Sequence, residues 1–442
     1  LLPQSVTGRE GINQAYCYQL ECLSPDGHIE LKSLLGLPVV IGITDANGAE
    51  IERCGVVSQA QLLGSDGGFA KYGLKIEPPF ALLRHRRTSR VFQDLSVPGI
   101  IKQVISEHQS SNSVFASVQT LDFKLSGQHP PRSYCLQYRE SDYDFIVRLL
   151  HEEGLAWRFA HLAGASSNVP QVQLLVFDDA FAIPEAADSQ VRFHRADATE
   201  ESDALTQWSG SRQVGSSSVS LASFDYKADR TSHSGDESAV EQGDGGQQIQ
   251  SSFEDYDPQS LYYAQDTEQF SRYAQLRQQA HDGQKKSFNG SGTLRSLQAG
   301  QWFRLEDHPA HEWDSPEQRE FAITELNFTA NNNLPHDLTQ QLRRIAPSLL
   351  RVGSASADQD TPVPYHVEFK SQRRGQPITP RFNLNGDEVL AKPKSRGVQT
   401  ATVVGPAGEE IHTDELGRIK VQFHWQRQDE HPEFGANLDD KS

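Results

Sequence analysis

Two places in this chain gather residue types that could do chemistry. His151, Glu152 and Glu153 set an imidazole beside two carboxylates. His412, Asp414 and His424 offer imidazole and carboxylate donors of the kind a divalent metal takes, on predicted strands that could bring them together. The 59 Asp and Glu residues are enough to hide the positioned pair that hydrolysis of a cell-wall glycan needs. Plainer roles stand against each. The acids at 152 and 153 close a predicted helix and are expected to face solvent. Asp414 belongs to a tight turn, and the outward face of a hairpin is where polar side chains belong in any case. No G-x-S-x-G, H-E-x-x-H or G-x-x-x-x-G-K-[ST] string occurs. Cys17, Cys22, Cys54 and Cys135 lack zinc or redox spacing and read as buried free thiols of a reducing compartment. The Trp and Tyr residues fall in strand-like runs, where core packing explains them better than sugar stacking. The expectation is a protein with no catalytic residue, no metal and no cofactor.

The elements that would position these groups are mainly β. A chain of 442 residues implies two to four domains. Its net charge of -18, from 59 acids against 41 bases, opposes nucleic acid or anionic membrane as a general partner. The longest apolar run, 34–43, is broken by Gly36, Pro38 and Gly42, is too short to span a bilayer and reads as a buried strand. No secretory signal pattern opens the chain. Strand-like runs at 16–23, 39–44, 51–61 and 69–76 alternate with Gly-rich turns, which suggests a small sheet or barrel. Ile100, Ile101, Val104 and Ile105 give 98–108 a helical period. A strand at 134–139 leads into Ser141-Asp142-Tyr143-Asp144, a capping-box pattern, then the apolar stripe Phe145, Ile146, Leu149, Leu150 and a stop at Gly154. Residues 210–250, rich in Ser, Gly, Gln and Asp, read as a mobile or protruding loop. A helix is expected over 266–281, ended by Asp282-Gly283. Residues 33–40 and 296–303 share an S-L…G…apolar outline, which chance explains on sequence alone.

Near its end the chain reads V-V-G-P-A-G-E-E-I-H-T-D-E-L-G-R-I-K-V-Q-F-H-W, residues 403–425. This reads as two hairpins in a row. A first strand stops at Gly405-Pro406, and Gly408 and Glu409 precede a short return at 410–412. Asp414 to Gly417 form the next turn. Ile419, Val421, Phe423 and Trp425 then face a core, while Arg418, Lys420, Gln422 and His424 face water.

Three strings carry a resemblance to one family. They are S-D-Y-D-F…E-E-G, from Ser141 through Phe145 to Glu152, Glu153 and Gly154; G-Q-W-F-R-L-E-D-H-P, with Gly300, Phe303, His308 and Pro309; and the terminal hairpins, with Gly405, Pro406, Gly408, Glu409, Asp414, Gly417, Arg418, Val421, Phe423 and Trp425. Together they resemble the VgrG spike proteins of the type VI secretion machine over nearly the whole chain. The family often carries Y-P-G-R-Y where this chain has Tyr256-Asp257-Pro258-Gln259-Ser260-Leu261-Tyr262. The resemblance implies a mainly β fold with a few helices. Residues 1–370 would be a phage tail hub-like domain, with barrel-like subdomains near 1–90 and 190–370 and an α/β insert near 95–185. A linker at 371–397 would lead to an incomplete oligonucleotide/oligosaccharide-binding (OB) barrel at 398–442, the family's needle lying beyond Ser442. The implied role is mechanical: a homotrimer docks on the hexameric Hcp tube and leads a membrane-puncturing needle that carries a tip protein and effectors. Nucleic acid would not be a partner, and a target membrane would be met only through the needle. Such a protein assembles in the cytoplasm of a Gram-negative bacterium and leaves through the machine. The rivals are the hub–spike of a contractile phage or bacteriocin tail, and a tail-associated cell-wall hydrolase.

Overall fold

The computed structural model describes residues 1–65, 68–162, 169–194, 203–334 and 364–381, and, beyond these, 393, 395, 397–409, 412–427 and 438. Its centre is an eleven-stranded sheet built from two copies of one plan. The first copy runs, in spatial order, Leu2–Gly11, Cys17–Ser24, Ala70–Glu77, Glu50–Ser65, Pro38–Thr44. The second runs Leu205–Arg212, Lys286–Gly292, Tyr365–Arg373, Glu320–Asn331, Trp302–Glu306, with every neighbouring pair again antiparallel.

The correspondence extends to register. Pro3 pairs with Cys22, and the ladder then slips to Ser5 opposite Glu21; Leu205 pairs with Gly292 and slips to Gln207 opposite Ser291. Val57 opposite Ile76 slips to Gln59 opposite Lys75; Ile323 opposite Ser371 slips to Glu325 opposite Lys370. A β-bulge bends a strand by one unpaired residue, so matched bulges give both copies the same curvature. The faint outline shared by 33–40 and 296–303 is the visible trace of this duplication. Gly36 (φ +77°) and Gly300 (φ +79°) each turn the chain into a strand through conformations that a side chain disfavours. Gly36 N donates to Val57 O and Gly300 N to Ile323 O, both at 2.9 Å. What sequence alone assigns to chance is a structural repeat.

The two copies fuse along one seam, where Ser5–Gly11 pairs antiparallel with Glu325–Asn331. Between them lies an α/β layer. Its helices are α1 (Val97–Ser111), α2 (Ser113–Val118) and α3 (Asp142–Glu152), and its three-stranded sheet comprises Gln119–Lys124, Gln171–Phe177 and Ala156–Leu162. Ile100, Ile101, Val104, Phe145, Leu149 and Leu150 pack with Tyr18, Val56, Ile76, Phe303 and Ile323 in one continuous core. The expected helix at 98–108 is α1, capped by Ser96, whose side chain accepts from Gly99 N.

The reading of 210–250 as a mobile or protruding loop is wrong for the described chain. Ser218–Asp225, Arg230–Glu237 and Glu254–Pro258 form a three-stranded sheet, and α4 (Gly243–Gln250) lies between two of its strands in sequence. Val219 and Leu221 bury against Phe270, Tyr273 and Ala274 of α5 (Thr267–Lys285). Polar composition hid this sheet because only one side needs apolar residues and the other shows Ser, Thr and Asp to water. Helix α5 also runs past Asp282-Gly283 to Lys285, whose ammonium lies 3.0 Å from Asp282. Strand Tyr365–Arg373 extends into the stretch 371–397 read as a linker. Further along that stretch, Thr379 Oγ1 donates to Gln279 at 3.0 Å and His151 Nδ1 to Arg381 O at 2.8 Å, so this part is docked on the hub.

Near the C-terminus, Ala401–Val404 pairs antiparallel with Lys420–Phe423. The first strand thus pairs beyond the expected return at 410–412, of which 410 and 411 lie outside the described residues. The predicted inside-outside alternation also fails in part: Gln422 is buried, whereas Ile419 is 51% exposed. Among the described residues this sheet has only two strands, too few to bury a whole apolar face.

Candidate functional site

The residues singled out from the sequence lie in three places, and each group is fixed by neighbours distant in the chain. The first is α3. Ser141 Oγ accepts from Asp144 N at 3.1 Å, as the capping pattern predicts. At the other end Gly154 adopts φ +67° and Leu155 N donates back to Leu150 O at 2.8 Å. Tyr143 lies against Phe80, with the Arg84 guanidinium over its ring, and Phe145 stacks on Phe92 at 5.5 Å.

Asp142, Glu152 and Glu153 do not face solvent. Asp142 is fully buried beneath His108 (2.7 Å), Gln137 (2.8 Å), Arg86 (3.3 Å) and Arg90 (3.4 Å). Burial would raise its carboxyl, yet the His108 and Gln137 hydrogen bonds and the arginine charges hold it below the usual carboxylate range. Glu152 pairs with Arg132 at 2.6 Å and Arg148 at 2.9 Å. Glu153 meets Arg132 at 2.6 Å, Arg272 at 3.1 Å and the Tyr273 hydroxyl at 3.3 Å. Burial again pushes upward, and His129, Arg132 and Arg272 outweigh it, lowering Glu153 to about 2. His151 is buried and its imidazole lowered to about 4 by that burial. A carboxylate locked between guanidiniums is already committed as an acceptor and is a poor proton carrier. The cluster ties α3 to α5 and to the strand Cys135–Ser141, and its arginines have no local sequence signal.

The second group turns the corner of the second sheet copy. Gly300 approaches Arg158 so closely that a Cβ would meet Arg158 Cδ at 2.5 Å. Phe303 is fully buried, edge-on to Phe369 at 5.5 Å. His308 Nδ1 accepts from Ala310 N at 3.2 Å, capping the short turn that opens with Pro309.

The third group is the terminal hairpin. Glu409 N donates to Pro406 O at 3.3 Å around Gly408 (φ +92°), just past Gly405. Asp414 Oδ1 accepts from Leu416 N and Arg418 N, and Gly417 (φ +72°) completes that turn. His412 is engaged with Glu409 at 2.8 Å and Asp414 with Arg418. Among the described residues no group of three or more His, Cys, Asp or Glu is placed to hold a metal. Val421 and Phe423 are half-buried. Trp425 stacks on Phe423 at 5.2 Å and lies against Tyr138 at 5.6 Å, and its indole N–H donates to Gln399 at 3.1 Å. Arg418 reaches Tyr226 OH at 2.8 Å. These contacts seat the hairpin on the hub. They make a joint between parts. No helix among the described residues is long and apolar enough to cross a membrane.

The comparisons with known proteins agree with this architecture. Residues 9–334 match the family model described as the phage tail baseplate hub (GPD). The chain is 29% identical over 436 residues to the type VI secretion system spike protein VgrG1a of Pseudomonas aeruginosa, covering 97% of this chain and 59% of that one. It is 28% identical over 360 residues to the actin cross-linking toxin VgrG1 of Vibrio cholerae, covering 80% of this chain but 28% of the toxin. Among solved structures, an E. coli component of the type VI secretion system, described as similar to T4 bacteriophage tail proteins gp27 and gp5, superposes with a TM-score of 0.62 at 18% identity, over 96% of this chain and 85% of that one. The chain therefore spans 59% of VgrG1a, 28% of the toxin and 85% of the solved E. coli protein. It belongs to the phage tail baseplate hub family, and the relatives it matches there are VgrG spike proteins.

Proposed function

We propose that this chain is the hub of a type VI secretion spike, acting as a trimer that docks on the hexameric Hcp tube and leads into a puncturing needle for effector delivery. The observation that carries this reading is the internal duplication. Two sheet copies of matched register in one chain give three chains six similar units, so a threefold body can present a sixfold rim to a hexameric ring. The seating of the terminal hairpin supports the role of a coupling between hub and spike. A barrel of the OB type at 398–442 would be that coupling rather than a binding site for nucleic acid, which the charge of -18 disfavours.

The role is structural: the acids and histidines of the α3 motif hold elements together, and the relatives are named as spike proteins. The protein would be assembled in the cytoplasm and exported by the machine it belongs to. Light scattering on the purified chain, alone and with Hcp rings, tests the proposal. A trimer that caps one Hcp hexamer is the expected result. A chain that stays apart from Hcp in every oligomeric state would reject it and favour a phage or bacteriocin tail. Lysis of purified cell wall would instead favour the hydrolase.

A further inference from the structure

Four arginines are buried among the described residues, and three of them meet carboxylates. Arg53 lies 2.7 Å from Glu10, Arg90 2.6 Å from Glu107 and Arg148 2.7 Å from Glu140. The fourth, Arg158, is 8% exposed and has no carboxylate partner among the described residues. Its Nε is shut off from water without a hydrogen-bond partner, and its Nη1 reaches only the Phe159 carbonyl, at 3.4 Å. Burial, unopposed by any charge, pulls its guanidinium down to about 10, below its ordinary value. An arginine that snorkels packs its stem and keeps its head in water, which this one does not. A buried charge left without a partner is among the costliest features a fold can carry.

Register shows where the partner is missing. Arg158 stands on the three-stranded sheet of the α/β layer, in one row with Leu175 and Asp122, and residues paired across a sheet share a face. To one side of this row Ala156 and Phe177 pack, together with Leu175, on Ile12, Ile183 and Trp302. To the other side the row of Ala160, Gln173 and Thr120 is only half-buried, and Thr120 Oγ1 is likewise cut off from water without a partner. Arg158 therefore sits where the covered half of the face meets the open half. Asp122 lies two strands away, about 10 Å by the spacing of strands. Its carboxylate is taken by Lys124 at 3.4 Å. Residues 163–168, between the strands Ala156–Leu162 and Gln171–Phe177, read Ala-Gly-Ala-Ser-Ser-Asn and carry no acid.

We propose that the open half of this face is a contact between copies of the chain, in which a carboxylate of a second copy pairs with Arg158. Such groups are in excess on a copy of this chain, with 59 acids against 41 bases. The contact rests on the trimer proposed for this chain and names one interaction that holds it. In a threefold ring each Arg158 meets an acid of the next copy, and the same pair of patches recurs at all three interfaces. A pair shut away from water is little screened by salt. It strengthens association without setting its salt dependence, which follows the net charge of each copy.

Arg158→Met, which keeps an unbranched apolar stem and removes the charge, tests this on residues 1–442. Sedimentation equilibrium gives the concentration at which half of the protein is trimeric, and circular dichroism on dilute, monomeric protein gives the thermal midpoint. The substitution is expected to raise the half-assembly concentration at least about tenfold. It should also raise the midpoint of the monomer by a few degrees, because an unpaired buried charge is gone. A trimer indifferent to Arg158→Met overturns the proposal. So does a monomer that Arg158→Met destabilises or prevents from folding, which would mean that the guanidinium is satisfied within its own chain. A monomer midpoint that rises with sodium phosphate only while Arg158 is present would put a small anion in the place, and overturns it too. An unsubstituted chain that stays monomeric at every concentration rejects the trimer and this contact together, whereas an indifferent trimer rejects the contact alone.

Discussion

At the residue scale the chain spends its buried charge on joints. Glu153 is held by Arg132, Arg272 and Tyr273, which are distant from it in the chain. Removing one partner of such a cluster leaves the others buried and uncompensated, so Glu153→Gln is expected to lower unfolding free energy by about 3–5 kcal/mol. Urea denaturation measures this, and a loss below about 1 kcal/mol would mean that the cluster is solvated. Acid stability follows from the same groups. His151 is buried and His161 half-buried, and loss of water around each imidazole lowers both to about 4 from an ordinary value of 6.5, so each favours the folded state while neutral. Their contribution is complete above about pH 6.5 and drains away as pH falls through 4. Glu153, lowered to about 2 from 4.5, contributes fully above pH 4.5 and loses that contribution as pH falls through 2. Thermal midpoints should therefore drop in two stages, the first already below pH 6.5. A His151→Gln variant should weaken the first stage and leave the second in place.

At the element scale, helix α3 shows what a sequence can reveal and what it cannot. Its Ser141 cap, its apolar stripe and its Gly154 stop are local, with all signals inside one short window, and each appears where expected. The partners of Asp142 and Glu153 come from up to 120 positions away, and no periodicity links them to the motif. Exposure was misjudged for that reason: a carboxylate reads as a surface residue until the guanidinium that buries with it is known. The sheet at 218–258 was missed for a different reason, since Ser, Gly and Asp on an exposed strand face imitate loop composition. The duplication was nearly invisible because register, bulges and turns are retained while side chains differ: Cys54 in one copy holds the place of Glu320 in the other. Gly154 is the most sensitive position of the helix. A Cβ there would meet Leu276 Cδ2 at 2.3 Å, and the residue also sits at φ +67°. Gly154→Ala is expected to cost roughly 1–3 kcal/mol in urea denaturation. Unchanged stability would show that α5 yields at Leu276.

At the scale of the whole molecule, electrostatics and symmetry oppose one another. In the proposed trimer three chains at -18 each would bring -54 into one body, and that repulsion would act against whatever surface holds them together. Added salt shortens the range of repulsion to about 10 Å at 0.1 M and about 3 Å at 1 M, while an apolar interface is not weakened by it. The trimer of this chain should therefore tighten as salt rises and loosen in dilute buffer, opposite to an assembly held by ion pairs. Sedimentation equilibrium across a salt series decides between them. Dissociation that grows with salt would place the opposed charges inside the interface and remove the case for an apolar one. A monomer at every salt concentration would show that the hub copies do not associate by their own surfaces. The threefold symmetry would then have to come from an element beyond the joint that Arg418, Phe423 and Trp425 form on Tyr138 and Tyr226.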